Sequence, residues 1–172
     1  RTGSLAKLLT WSREEPLTCD EVLCHQSDYI SANLMLNEDV GEVTNALKPK
    51  MAMTSDWHNC LKLGYNVQHD AWPTWMGPCL EAAGIGDPLT PESGAIPMNV
   101  VSPGTKMGTI GQSFAKRFGF NSDAVVVGGT TDSNAAFFAA AGAKPQPGTA
   151  VTSLGSTLAI KLLSLNYVED SE

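Results

Sequence analysis

The second half of the chain alternates short apolar runs with glycine punctuation. Val125-Val126-Val127 has the length and β-branching of a strand, and Gly128-Gly129 closes it with residues that let the backbone turn sharply. An alanine-rich segment from Ala135 to Ala141 follows and stops at Gly142, with Pro145 and Pro147 beyond, the pattern of a helix ended by glycine. Val151 to Leu154 and Leu158 to Leu162 read as two strands joined by a tight Gly155-Ser156-Thr157 turn. Ahead of this unit, Ile96 to Val101 suggests a strand, Pro103-Gly104 a turn and Gly111 to Phe118 a helix. In the first half, Ser4 is expected to cap a short helix through Trp11, and a polar link containing Pro16 follows. Asp20 to Met35 then reads as a longer helix with apolar Val22, Leu23, Ile30 and Leu34, and Tyr29 is expected in the core. Trp72, Trp75 and Met76 fit the hydrophobic flank of a short helix better than a stacking site.

Chemistry concentrates in the two glycine loops. After Gly128-Gly129, the side chains of Thr130, Thr131 and Asp132 supply oxygens where a helix must begin. A carboxylate at Asp132 is favoured there by the helix dipole and is placed to accept a proton; the same three residues also fit a simple N-cap. The backbone N–H groups of the Gly155-Ser156-Thr157 turn, with the two hydroxyls, can form a nest for an anion, and the same turn also fits a plain strand connection. No Walker-type loop and no Gly-x-Gly-x-x-Gly occurs in the chain.

Composition narrows the partners. With 42% hydrophobic and 17% charged residues, the 172-residue chain is globular and long enough to bury a core. Its net charge of −7 and its scattered Lys and Arg disfavour nucleic acid and anionic lipid, so a substrate phosphate would be held by backbone and metal. No apolar run reaches membrane-spanning length and none reads as a signal peptide, while an N-terminus expected to be missing leaves any targeting sequence unread. Cys19, Cys24, Cys60 and Cys79 lack paired Cys-x-x-Cys spacing and read as reduced, partly buried thiols; Cys19, Cys24 and His25 make a poor zinc set. His25, His58 and His69 are expected to be hydrogen-bonded or on the surface, with nothing to mark a nucleophile beside them.

The strand, Gly-Gly-Thr-Thr-Asp, alanine-rich helix, Pro-Gly-Thr-Ala and Ser-Leu-Gly-Ser-Thr, in this order, resemble the FGGY carbohydrate kinase family. Ser4 to Leu9, His25 to Tyr29, Ser55 to Tyr65 and Trp72 to Trp75 are similar to that family's segments in the same order, so the likeness spans nearly the whole chain. Its wording is most similar to the plant and cyanobacterial members described as xylulose-kinase-like or D-ribulose kinases. The resemblance implies an α/β fold of the actin-like, ribonuclease-H-like type, in part. Residues 1–146 would be the later part of the N-terminal, sugar-binding domain, and residues 147–172 the opening hairpin of the C-terminal, nucleotide-binding domain. It implies ATP-dependent phosphorylation of a sugar hydroxyl, with a ketopentose such as D-ribulose or D-xylulose as acceptor and ATP and Mg²⁺ as cofactors. Asp132 falls on the family's catalytic aspartate and meets the sugar, and Gly155, Ser156 and Thr157 fall on its phosphate turn. Family members are longer, so the chain is expected to be a central fragment, inactive on its own, of a soluble intracellular enzyme of chloroplast or cytoplasm, its oligomeric state open. Residues 34–50 depart from the family's pattern and look inserted or substituted. Two other classes remain open: an inactive truncated paralogue, and a non-catalytic actin-like ATP-binding module.

Overall fold

The computed structural model describes residues 3–18, 21–36, 54–85, 95–155, 158–166 and 168. Within them the chain is mixed α/β, with short helices and three two-stranded sheets. It parts into two compact units, Arg1–Thr130 and Thr131–Glu172. The division expected at 146/147 falls inside the second unit.

The first unit is built on helix α1, Ser4–Glu14, which carries Leu5, Leu8 and Ser12 on one face at helical spacing. Leu8 is buried in the core with Met76, Leu80, Ile85, Ala95 and Ile96, and Ser12, also buried, donates to the carbonyls of Leu9 and Ala83, both at 3.3 Å. The helix therefore runs beyond Trp11, because its buried stripe does. Ser4 is its first residue rather than its cap; extended Gly3 precedes it and no side chain caps that end.

Helix α2, Gln26–Met35, starts later than the pattern predicts. Its expected first residue, Asp20, lies outside the described residues, and residues 21–25 carry no helix; there the Leu23 N–H donates to the Ala95 carbonyl (2.9 Å). A contact 72 residues away has captured backbone that looked helical by period. Asp28 and Ala32 form the buried face of α2, which leaves Tyr29 47% exposed instead of in the core, and Ile30 exposed as well. The departing segment beyond Leu36, positions 37–53, lies outside the described residues.

Strand β1, Thr54–Asp56, pairs in parallel with β2, Asn99–Val101, shorter than the strand expected from Ile96. Ile96 and Pro97 are instead buried in the core. The short helix α3, Trp57–Cys60, continues through a 3-10 turn, Leu61–Leu63, to Gly64, whose φ of 100° only glycine adopts freely. Trp75 lies over that glycine, half exposed, while Met76 opens helix α4, Met76–Glu81, fully buried. Trp72 packs edge-on against Tyr65 (5.0 Å) and donates to the Pro97 carbonyl (3.0 Å). Strands β3, Lys106–Thr109, and β4, Val125–Val127, pair antiparallel around helix α5, Gln112–Phe118, which ends at left-handed Gly119.

The second unit consists of helix α6, Asp132–Ala141, and the hairpin of β5, Ala150–Leu154, with β6, Leu158–Leu162. Thr131 caps α6, its Oγ1 accepting from the Asn134 N–H (3.4 Å), and Gly142 ends it at φ 86°. The register pairs Val151 with Lys161 and Ser153 with Ala159 on one face of the hairpin. The other face carries Leu154, Leu158, Ile160 and Leu162, all exposed. No described helix is long and apolar enough to cross a membrane.

Candidate functional site

Asp132 is the first residue of α6, where backbone N–H groups lack intrahelical partners. Its side chain is exposed, and its one hydrogen bond among the described residues comes from the Ser133 N–H to Oδ1 (2.7 Å). The carboxylate is held at its base and open at its tip.

Within the second unit, α6 and the hairpin enclose a cleft of about 470 Å³. Asp132, Ser133 and Phe137 line it from the helix, and Ser153, Gly155 and Lys161 from the hairpin. Two of the residues singled out from sequence, Asp132 and Gly155, thus share one cavity; Ser156 and Thr157 lie outside the described residues. Lys161 escaped the sequence reading. Its Nζ donates to Asn134 Oδ1 at 2.6 Å, which fixes an ammonium on the hairpin face that borders the cleft. The arrangement offers a proton acceptor on one wall and a positive charge on the other.

A second polar centre lies inside the first unit and was not legible as a set. Asp56, 1% exposed, closes β1 and caps α3: Oδ1 accepts from the Asn59 N–H (3.0 Å) and Oδ2 from Asn59 Nδ2 (2.7 Å). Asn59 Nδ2 also reaches Ser27 Oγ (3.2 Å), which donates to Asp28 Oδ1 (3.2 Å). Asp28 in turn accepts the His25 N–H (2.7 Å), the reciprocal half of an N-terminal box whose His-x-x-Asp spacing is the one local signal for it. Gly129 closes over this network, since a Cβ there would lie 3.3 Å from Ser27 Cβ and 3.5 Å from Asp56 Oδ2. His58 Nδ1 meets Thr130 Oγ1 at 2.7 Å, and His69 is exposed, as expected of those histidines.

This buried centre is not built for nucleophilic chemistry. His25 Nδ1 lies 3.1 Å from both Asp28 Oδ2 and Ser55 Oγ, whereas a serine relay uses the two ring nitrogens for the two partners. Burial pushes the Cys60 thiol up to about 12, with Asp28 and Asp56 adding to the rise against a hydrogen bond from Ser55 that lowers it. Cys24 is also raised, by burial and then by Asp28. Neither thiol is poised as a thiolate. Tyr65 is raised by burial first and then by Asp70, whose Oδ1 accepts its hydroxyl (2.8 Å). Among the described residues no three His, Cys, Asp or Glu side chains are grouped to hold a metal ion.

No protein-family model matches the chain.

Proposed function

We propose that this chain belongs to an ATP-dependent sugar kinase of the FGGY type, and that it carries the later part of an actin-like first domain and the opening hairpin of the second. The observation that carries the proposal is the shared cleft: Asp132 at a helix start and Gly155 on a hairpin turn, two positions named by the ordered sequence resemblance, line one cavity with a lysine beside them. In this reading a ketopentose hydroxyl, of D-ribulose or D-xylulose, attacks the γ-phosphorus of ATP. Asp132 takes the hydroxyl proton as the new O–P bond forms and the bond to ADP breaks. The Asp132 carboxylate suits that role because, among the described residues, Ser133 alone bonds it, leaving acceptor capacity toward the cleft. Gly155 lets backbone approach phosphate oxygens closely. Mg²⁺ bound with the ATP phosphates would supply charge neutralisation; among the described residues Asp132 is the acidic side chain lining the cleft. Most of the rate enhancement then comes from positioning and electrostatics.

The test uses the intact gene product that carries this chain, assayed for ADP release with ATP, Mg²⁺ and a panel of D-ribulose, D-xylulose and glycerol. Asp132→Asn is expected to cut kcat by about a thousandfold, the range of a lost general base, with sugar affinity nearly unchanged. No sugar-dependent ADP release, or near-normal turnover by the variant, would end the proposal.

A further inference from the structure

Lys161 has an unusual setting for a lysine. The chain holds 11 Lys and Arg residues against 18 Asp and Glu, so positive charge is scarce, and a lysine on a short exposed hairpin would ordinarily extend into water. Lys161 instead lies half-buried, opposite Val151 on the hairpin face that borders the cleft, with its Nζ drawn to Asn134 Oδ1 at 2.6 Å. That partner is a neutral amide. Among the described residues Lys161 makes no ion pair, and an ammonium has three N–H donors, of which this bond occupies one. Asn134 is itself fixed in the first turn of α6, its N–H bonded to Thr131. The asparagine therefore holds the charge in place without neutralising it, beside Ser153 and Gly155 in a cavity large enough for a polyphosphate.

We infer that Lys161, positioned by Asn134, is an anion-binding residue of this cleft that takes phosphoryl oxygens. The site, as an anion site, stands on the geometry just given; that the anion is a phosphoryl donor rests on the kinase reading above. The two charges of the cleft divide the work: Asp132 receives the hydroxyl proton, and Lys161 offsets negative charge on the phosphoryl oxygens as it passes to the sugar. A compact ammonium suits that role, acting as a point charge that follows the moving oxygens. Asp132 opposes an anion in the same cavity, which gives the inference a signed consequence. Removing the carboxylate's charge should tighten anion binding, and removing the lysine's should weaken it.

The experiment titrates inorganic tripolyphosphate into the chain by calorimetry, with melting curves for every variant. Lys161→Met is expected to weaken binding by about tenfold or more, the size of a lost charge-assisted hydrogen bond, and Lys161→Arg to stay within about threefold of the parent. Asp132→Asn is expected to tighten it by about threefold, since a like charge leaves the cleft. A lysine that merely straps the hairpin to the helix would lower the melting temperature in Lys161→Met and Asn134→Ala alike and leave the tripolyphosphate affinity of the folded protein unchanged. That result, or no binding by the parent chain, overturns the inference. In the intact gene product, a Lys161→Met enzyme with the parent's KM for ATP and kcat would overturn it too, while leaving the kinase reading intact. Lysine-dependent tripolyphosphate binding in a protein that phosphorylates no sugar retires the kinase reading and sustains the anion site.

Discussion

Replacing Asp56 with alanine should destabilise the first unit by about 2–4 kcal/mol at neutral pH, although the residue touches nothing outside the protein. Asp56 Oδ1 and Oδ2 accept from the Asn59 N–H and Nδ2 at 3.0 and 2.7 Å, and the residue is 1% exposed. Hydrogen bonds to a charged group contribute about 1.5–3 kcal/mol each, so the two are worth about 3–6 kcal/mol gross. Part of that returns when the carboxylate no longer has to be kept from water, and Asn59 Nδ2 retains Ser27 Oγ as an acceptor. Asp56→Asn separates shape from chemistry. It preserves the acceptor for the Asn59 N–H but sets one amide nitrogen against another, and should cost about 1–2 kcal/mol, within the range of one unmade buried bond. All four tryptophans, Trp11, Trp57, Trp72 and Trp75, lie in the first unit, so urea unfolding followed by tryptophan fluorescence reports on that unit alone. An alanine variant within about 0.5 kcal/mol of the parent, the ordinary range of a surface substitution, would refute the reasoning. So would an asparagine variant as damaging as alanine.

Gly128→Ala should cost about 1–3 kcal/mol through overpacking. Its new Cβ would sit 2.9 Å from Val101 Cγ2 and 3.0 Å from the Ser102 carbonyl oxygen, and the segment cannot retract because Gly128 bonds to Gly104 and Thr105 on either side. Gly3→Ala, with nothing within 4 Å, serves as the control in the same urea titration; equal effects of the two would dismiss the steric argument. Alkaline pH should destabilise the first unit, because Cys60 and Tyr65 are both held above their ordinary values of 9.0 and 10.0 and so keep their protons in the fold after the unfolded chain has lost them. Stability is full below pH 9, declines as pH rises, and has lost the Cys60 share near pH 12; Cys60→Ala should flatten that decline, and an unchanged slope would show that the buried thiol does not carry it.

Glycine punctuation made the second half of the chain readable. Gly119 and Gly142 end their helices at positive φ, and the strands on either side of Gly155 pair as their apolar residues suggested. Elsewhere the deciding contacts are distant in sequence. Leu23 fits a helical period with Ile30 and Leu34, yet its N–H is taken by Ala95 and the helix must wait for His25 to open it. Asp28 and Asp56 look like surface carboxylates to any rule based on residue type; the hydrogen bonds they accept are local, and what joins them in one buried centre is a pair of distant links between their neighbours, Asn59 to Ser27 and His25 to Ser55. Lys161 is hidden by an inverted pattern. In Leu158-Ala159-Ile160-Lys161-Leu162 the alternation points the large apolar residues inward and the lysine out, whereas Leu158, Ile160 and Leu162 are exposed and Lys161 is half-buried.

The two polar centres differ in how far their charged groups are already engaged by the protein. In the buried centre of the first unit both carboxylates accept at each oxygen: Asp56 from two donors of Asn59, Asp28 from His25 and Ser27, with Gly129 close enough that a Cβ there would press on Ser27. Buried carboxylates bonded at both oxygens hold β1, α2 and α3 together, and giving up those bonds to a substrate would cost the fold its polar centre. Asp132 and Lys161 are the opposite case. Among the described residues each has one hydrogen bond to the protein, each keeps further capacity toward a shared cavity, and the two form no ion pair with each other. In the proposed reaction the two charges would meet different reactants, Asp132 the sugar hydroxyl and Lys161 the phosphoryl oxygens of ATP, and that division of work needs them apart rather than closed into a pair.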